Sequence, residues 1–262
     1  MKPASRALLP TFVVMGAQKS GTTSLHKALA AHSDVFMSHP LKEPGFFMGP
    51  RGRHSVLGGT PSASLRNRAL LRQSMLRGYS GERHFGESST YYTMGGGAER
   101  WRIPQRMHRL NRNLRFIYVL RDPLGRIHSN YLHARRRGSV GPGFTEFLAH
   151  PEGKSAVLTS CYFRQLRSYL RFFPPERFHI VIMEELLEDP DAELQKALAH
   201  IGAPEDALPA DFPALNVASN RKAERPKEER EVIPEPILQT LREDAQKLYQ
   251  WLGRRIPAWR PI

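Results

Sequence analysis

One cysteine, Cys161, stands in 262 residues. The chain can therefore form no internal disulfide and no cysteine-built zinc cluster, and a reducing compartment, the cytoplasm, is expected. Acidic residues are scarce as well: 25 Asp and Glu face 39 Lys and Arg, for a net charge of +14. Such an excess favours anionic ligands, and the preponderance of arginine suits bidentate contacts to phosphate or sulfate. Nothing approaches the roughly 20 apolar residues that cross a bilayer, so no membrane span is expected. Lys2 and Arg6 before an apolar run resemble a signal peptide. Pro10 interrupts that run, however, and its apolar part serves a strand. The histidines, among them His26, His32, His39, His54, His128 and His133, lack a metal-ligand spacing such as H-E-x-x-H. No metal is expected.

What is present is organised around residues 12–30, FVVMGAQKSGTTSLHKALA. Phe12 to Met15 form an apolar, partly β-branched run suited to a strand buried on both faces. Gly16 to Gly21 break it with two glycines and Lys19. Thr22 or Thr23 can cap a helix in which Leu25, Ala28 and Leu29 recur at helical spacing. Strand, glycine loop and helix N-terminus together make an anion site, with backbone N–H groups and the helix dipole aimed at one spot. A nucleotide triphosphatase loop reads G-x-x-x-x-G-K-[ST]. Here Thr22 follows the second glycine and the lysine lies inside the loop, so the spacing is kept and the chemistry has moved. Read alone, the loop also fits an ordinary glycine turn.

The arrangement resembles the 5′-phosphosulfate loop of sulfotransferases, whose donor is 3′-phosphoadenosine-5′-phosphosulfate (PAPS). The resemblance implies donor contacts from Gln18, Lys19, Ser20, Gly21, Thr22 and Thr23. The segment YVLRDPLGRIHSNYLH resembles the family's 3′-phosphate segment, a strand, then R-D-P, then a serine eight residues after the arginine; Arg121 and Ser129 match it. Lys42-Glu43-Pro44-Gly45-Phe46-Phe47 resembles the K-E-P-x-F-F segment of bacterial sulfotransferases and the E-x-x-F-F segment of glycosaminoglycan sulfotransferases. There the glutamate is the general base, which implies that role for Glu43. Relatives often carry histidine where this chain has Gly45. Gly86-Glu87-Ser88-Ser89-Thr90-Tyr91 resembles the family's G-E-x-S-P-x-Y stretch, with Ser88 in place of lysine and Thr90 in place of proline. Lys42, Phe46, Glu87 and Ser88 are the acceptor-side candidates. Glu87 reads equally as a second acid/base, an acceptor contact or a structural carboxylate bonded to backbone N–H groups. Near the C-terminus Arg221 and Lys222 match the basic loop that family members return to the donor, and a solvated charge cluster is the other reading.

The rest of the chain reads as alternating strands and helices. Strands are expected at 34–37, 84–87, 114–120 and 178–183, and helices at 65–76, within 98–110, and at 124–137, 160–173, 184–187, 192–201 and 236–252. Residues 49–64 and 203–230 read as irregular. The expectation is a single α/β domain, residues 1–262, with a P-loop-like central parallel sheet flanked by helices and ligands at the strand C-terminal ends. The implied reaction is in-line transfer of a sulfuryl group from PAPS to an acceptor hydroxyl or amine. Glu43 takes the proton, and Lys19 meets the charge gathering on the departing phosphate. The rivals are a P-loop kinase of a small metabolite, which would need magnesium, and a noncatalytic polyanion binder with steeply salt-dependent affinity. No nucleic-acid partner is expected.

Overall fold

A computed structural model describes residues 8–48, 72, 75–95, 102–204 and 233–262. The expected irregular stretch 49–64, most of the expected helix at 65–76, and the Arg221–Lys222 pair lie outside these residues.

A five-stranded sheet runs through the described chain in the order β2-β3-β1-β4-β5. Its strands are β1 (Phe12–Val14), β2 (Val35–Met37), β3 (His84–Ser88), β4 (Arg115–Leu120) and β5 (Phe178–Ile182), and every pairing is parallel. β1 lies at the centre, with Val14 opposite Ser88 on one side and Ile117 on the other. The apolar runs are continuous because both faces of the sheet are covered. Val13, Phe116, Tyr118 and Leu120 bury themselves in one core, while Phe12, Val14, Ile117 and Val119 enter the other. This alternation is the period-two geometry of a strand applied to two dry faces.

The covering helices follow from sequence with few surprises. On one face α1 (Thr22–Ala30) and, later in the chain, the helix over Pro190–Ile201 supply Leu25, Ala28, Leu29, Leu194 and Leu198. After α1 come α2 (Arg102–Leu110) and α3 (Pro123–Arg136). Asp122 caps α3 by accepting from Gly125 N at 3.1 Å, and Pro123 fills the first helical position, where an N–H has no intrahelical acceptor. Two helices were not expected, α4 (Phe144–Ala149) and α5 (Pro151–Ser160). α4 places Phe144, Phe147 and Leu148 at helical spacing but has only six residues, too few for a periodic pattern to stand out. α5 carries Gly153, Ser155 and Thr159 and shows no strong apolar stripe. Cys161 separates α5 from α6 (Tyr162–Tyr169), splitting the expected helix at its start. β5 passes directly into α7 (Met183–Glu188), and Asp189-Pro190 opens α8 (Pro190–Ile201). The closing helix α9 (Glu235–Leu252) packs on α6, whose first amides, Phe163 N and Arg164 N, donate to Asp244 at 2.9 Å each.

Candidate active site

Because all five strands run the same way, their C-terminal ends meet along one edge. The segments carrying Lys19, Glu43, Glu87 and Arg121 all lie at or just beyond those ends, where ligands bind in open α/β sheets.

The loop after β1 is tied to β4. Ala17 N donates to Val119 O at 2.7 Å and Val119 N to Gly16 O at 2.8 Å. Gly16 has a φ of 137°, and a Cβ there would sit 2.0 Å from Thr93 Oγ1, so only glycine fits. Lys19 adopts a φ of 69°, the left-handed region in which a residue with a side chain costs roughly 1–3 kcal/mol. Gly21, not a threonine, occupies the cap of α1, with a φ of 89° and no side-chain capping bond. The expected threonine cap is therefore corrected. Thr22 and Thr23 belong to the first turn, the former buried and the latter exposed.

Two arginines hold the loop from behind. Arg126 on α3 is fully buried and donates to Gln18 O at 3.1 Å, to Ser160 Oγ at 2.6 Å and to Ala156 O. Arg121, half-buried at the end of β4, donates to Lys19 O at 3.3 Å. Since a trans peptide points its C=O and N–H in opposite directions, drawing the Gln18 carbonyl towards Arg126 turns the Lys19 amide away from it. Burial, together with Arg136, Arg121, Arg126 and Arg137, holds the Lys19 ammonium below the ordinary lysine range. Among the described residues, the charges that act most on Lys19 are all positive. Ser129 follows Arg126 by three residues, on the same face of α3, with His133 and Arg136 continuing the stripe.

The backbone of Arg121 is itself clamped. Tyr162 Oη donates to Arg121 O at 2.7 Å, and Asp122 N donates to Glu184 Oε1 at 3.0 Å. The C-terminal tail closes over this corner: Arg260 Nε donates to Asp122 Oδ2 at 2.6 Å and Trp259 Nε1 to Glu184 Oε2 at 3.2 Å.

On the other side of β1, Glu43 is partly exposed and accepts from Lys42 Nζ at 3.0 Å and from Thr90 Oγ1 at 2.9 Å. Phe46 and Phe47 are buried edge to face, with ring centroids 5.1 Å apart. The turn Thr90–Thr93 joins the two halves of the site. Thr93 Oγ1 donates to Met15 O at 3.0 Å, beside the glycine loop, while Thr90 holds Glu43.

The acceptor-side candidates separate. Lys42 and Glu43 stand together at the surface of the crevice. Phe46 lies in the aromatic core. Ser88 points across the sheet to His26 Nδ1, 2.9 Å away, on α1. That ring sits in a site whose burial lowers its pKa to about 4, so it is neutral at ordinary pH. Glu87 is fully buried and accepts from Ser89 Oγ at 2.6 Å and from Tyr92 Oη. Its partners are hydroxyls, not the backbone N–H groups considered from sequence. Burial pushes its carboxyl up to about 7, against the lowering effect of those two donors. Sequence reasoning passed over Arg126, Thr90 and Tyr92. Only Arg126 had a readable signal, its helical spacing from Ser129.

The model of the Sulfotransferase family matches residues 10–207. The chain is 29% identical over 201 residues to a bifunctional heparan sulfate N-deacetylase/N-sulfotransferase of Drosophila melanogaster, covering 70% of this chain and 18% of that protein. It is 24% identical over 197 residues to the heparan sulfate glucosamine 3-O-sulfotransferase 5 of Homo sapiens, covering 71% and 51% respectively. The chain thus spans about half the length, or less, of these curated relatives. Among solved structures, a sulfotransferase from Alicyclobacillus acidocaldarius superposes with a TM-score of 0.73 at 25% identity, covering 97% of this chain and 100% of that one. A sulfotransferase domain from the curacin biosynthetic pathway shares the fold, with a TM-score of 0.56 at 17% identity, covering 95% and 99%.

Proposed function

The chain belongs to the sulfotransferase family, and from that premise we propose that it moves a sulfuryl group from PAPS to a hydroxyl or amine of a glycan, lipid or small-molecule acceptor. One observation carries the reading. Arg121 and Arg126 grip the Lys19 and Gln18 carbonyls, leaving Lys19 among like charges whose mutual repulsion an anionic ligand relieves. The residues present fit such a donor. Gln18 to Thr23 and the start of α1 offer amides and hydroxyls to a 5′-phosphosulfate, while Arg121 and Ser129 suit a 3′-phosphate. Arg221 and Lys222 are further proposed contacts. A cytoplasmic location is consistent with a single, buried cysteine.

The donor supplies an activated sulfuryl group on a phosphate leaving group; the remaining chemistry falls to the protein. Glu43 takes the proton of the attacking hydroxyl or amine, oriented by Lys42 and Thr90. Lys19 Nζ and the loop amides hold the negative charge that grows on the leaving oxygen, in a geometry set before the reaction begins.

Calorimetry with adenosine 3′,5′-bisphosphate and with ADP tests the reading without an acceptor. The bisphosphate should bind at least tenfold more tightly, each tenfold corresponding to ~1.4 kcal/mol. Arg121→Ala should remove most of that preference while weak binding through the Lys19 loop persists. Equal affinity for the two nucleotides would end the sulfotransferase assignment in favour of a kinase. Transfer of labelled sulfate from PAPS to a panel of acceptors then identifies the substrate.

A further inference from the structure

Glu87 lies inside the protein, yet its bonds lead straight to the segment that carries Glu43. Gly45 N donates to Ser89 Oγ at 2.9 Å, and Ser89 Oγ donates to Glu87 Oε2 at 2.6 Å. In parallel, Phe47 N donates to Tyr92 Oη at 3.1 Å, and Tyr92 Oη donates to Glu87 Oε1. A hydroxyl has a single proton. Once its oxygen has accepted from an amide, that proton is what remains to give, so both relays run N–H to O–H to carboxylate. Two chains of donors end on the two oxygens of one buried group.

We propose that Glu87 is a positioning residue which, as a carboxylate, fixes the Glu43-bearing segment through Ser89 and Tyr92; this rests on the reading of Glu43 as the general base. The anchored amides belong to residues 45 and 47, two and four positions after Glu43. Pro44 restricts the backbone between Glu43 and the first anchor. The rings of Phe46 and Phe47 pack beneath, with Phe47 and Tyr92 centroids 6.1 Å apart. Thr90, from the same turn as Tyr92, then reaches Glu43 itself. Protonating Glu87 turns one of its oxygens into a donor. The hydroxyl facing that proton would then accept twice, from its amide and from the acid, and its own proton would lose its acceptor, so the relay that anchors the segment is weakened. The groups facing Glu87 are Glu43 and Lys42 from the segment, Tyr92 from the turn and Tyr169 from α6. Burial and Glu43 raise its pKa, whereas the two hydroxyl donors and Lys42 lower it, and the balance falls near neutrality.

Hydrogen exchange and kinetics on the full chain test this together. In Glu87→Gln, the Gly45 and Phe47 amides should exchange more than tenfold faster, after correction for intrinsic rates, while β4 amides are unchanged. The native protein should show the same loss of protection as pH falls through about 7, and the variant should not. In acceptor turnover, kcat should fall about 10- to 100-fold, the cost of misplacing a reacting group by about an ångström, and its ionisation near neutrality should disappear. Affinity for adenosine 3′,5′-bisphosphate should stay within about twofold, because the donor loop is held by other groups. Should Glu87→Gln fail to fold, Ser89→Ala and Tyr92→Phe each remove one relay, and each should release only its own amide. Unchanged exchange and an unchanged pH profile would overturn the proposal. The exchange measurement needs no substrate, so a failed sulfotransferase assignment would leave it standing and identifiable.

Discussion

The glycine loop after β1 and the Glu43 segment after β2 flank the Thr90–Thr93 turn that follows β3, and they are held by opposite means. Behind the loop, guanidinium groups that never lose their charge pull on main-chain carbonyls. Behind the segment, neutral hydroxyls gather on a single carboxylate whose own charge depends on pH. The difference matches what each side must do. A leaving-group site works best when its dipoles are fixed before the reaction. A base has to change protonation state in every cycle. Lys42 already stands 3.0 Å from Glu43, and further permanent cations behind it would blunt its proton affinity, whereas the hydroxyls of Thr90, Ser89 and Tyr92 steady the segment without adding positive charge.

The comparison breaks most visibly at the base. Glu43→Gln keeps the shape of the side chain and removes its basicity, and turnover should drop roughly 10²- to 10⁴-fold while calorimetry finds donor binding intact. Retained turnover in that variant, with an inactive Glu87→Gln, would mean that the two carboxylates exchange roles. Lys19→Ala should cost on the order of 10²- to 10³-fold in turnover, the range for losing one preorganised charge partner, with a smaller loss of donor affinity. Turnover near normal in a folded Lys19→Ala protein would remove the loop from the chemistry.

A finer test separates support from stability. Among the described residues no carboxylate bonds the buried Arg126, but it donates to Gln18 O, Ser160 Oγ and Ala156 O. Its removal leaves each of those acceptors short of a partner, at a cost of about 1–3 kcal/mol per group left unpaired. Arg126→Met should therefore lower the melting temperature and also weaken adenosine 3′,5′-bisphosphate binding about tenfold, ~1.4 kcal/mol. A large drop in melting temperature with unchanged affinity would make Arg126 scaffolding alone.

The smallest effect is a pH dependence of stability. Glu87 titrates near 7 in the native protein against an ordinary value of 4.5. Between those values the folded state keeps a proton that the unfolded chain has released. The stability this carries is complete below about 4.5 and is lost as pH rises towards 7. The melting temperature of the native protein relative to Glu87→Gln should accordingly decline across that window and level off above it, by about 2–4 °C per kcal/mol. A flat difference would show that Glu87 is ionised throughout. At neutral pH the chain sacrifices some stability to keep the carboxylate on which both relays depend.

Much of the fold was legible because both sheet faces are dry. β1, β4 and β5 are nearly continuous apolar runs, and each ends in glycine, R-D-P or an acidic helix start. α4 and α5 were hidden by their shortness and small polar residues. Within the site, what could be read was what lies close in sequence: Lys19 in its loop, Arg121 and Ser129 two turns apart, Glu43 beside Pro44. The hydroxyl relays could not be read, since they join residues more than forty positions apart and depend on side-chain direction. Glu87 and Ser88 illustrate the difficulty. Adjacent strand residues point to opposite faces, and a stretch reading G-E-S-S offers no apolar pattern to say which one turns towards Glu43.

The contact between Gly16 and Thr93 has a practical side for anyone exchanging parts between relatives. A threonine hydroxyl fills the space that a side chain at residue 16 would need, and the same turn carries Thr90 to Glu43. The glycine loop and the acceptor side therefore share one wall. A chimera that imports residues 38–48 from another enzyme while retaining the host's turn would meet mismatched anchors. Importing the turn without its matching loop would close the gap beside Gly16 or open a hole there. Grafts should succeed only when the residues from β3 through Thr93 travel together with the segment they hold.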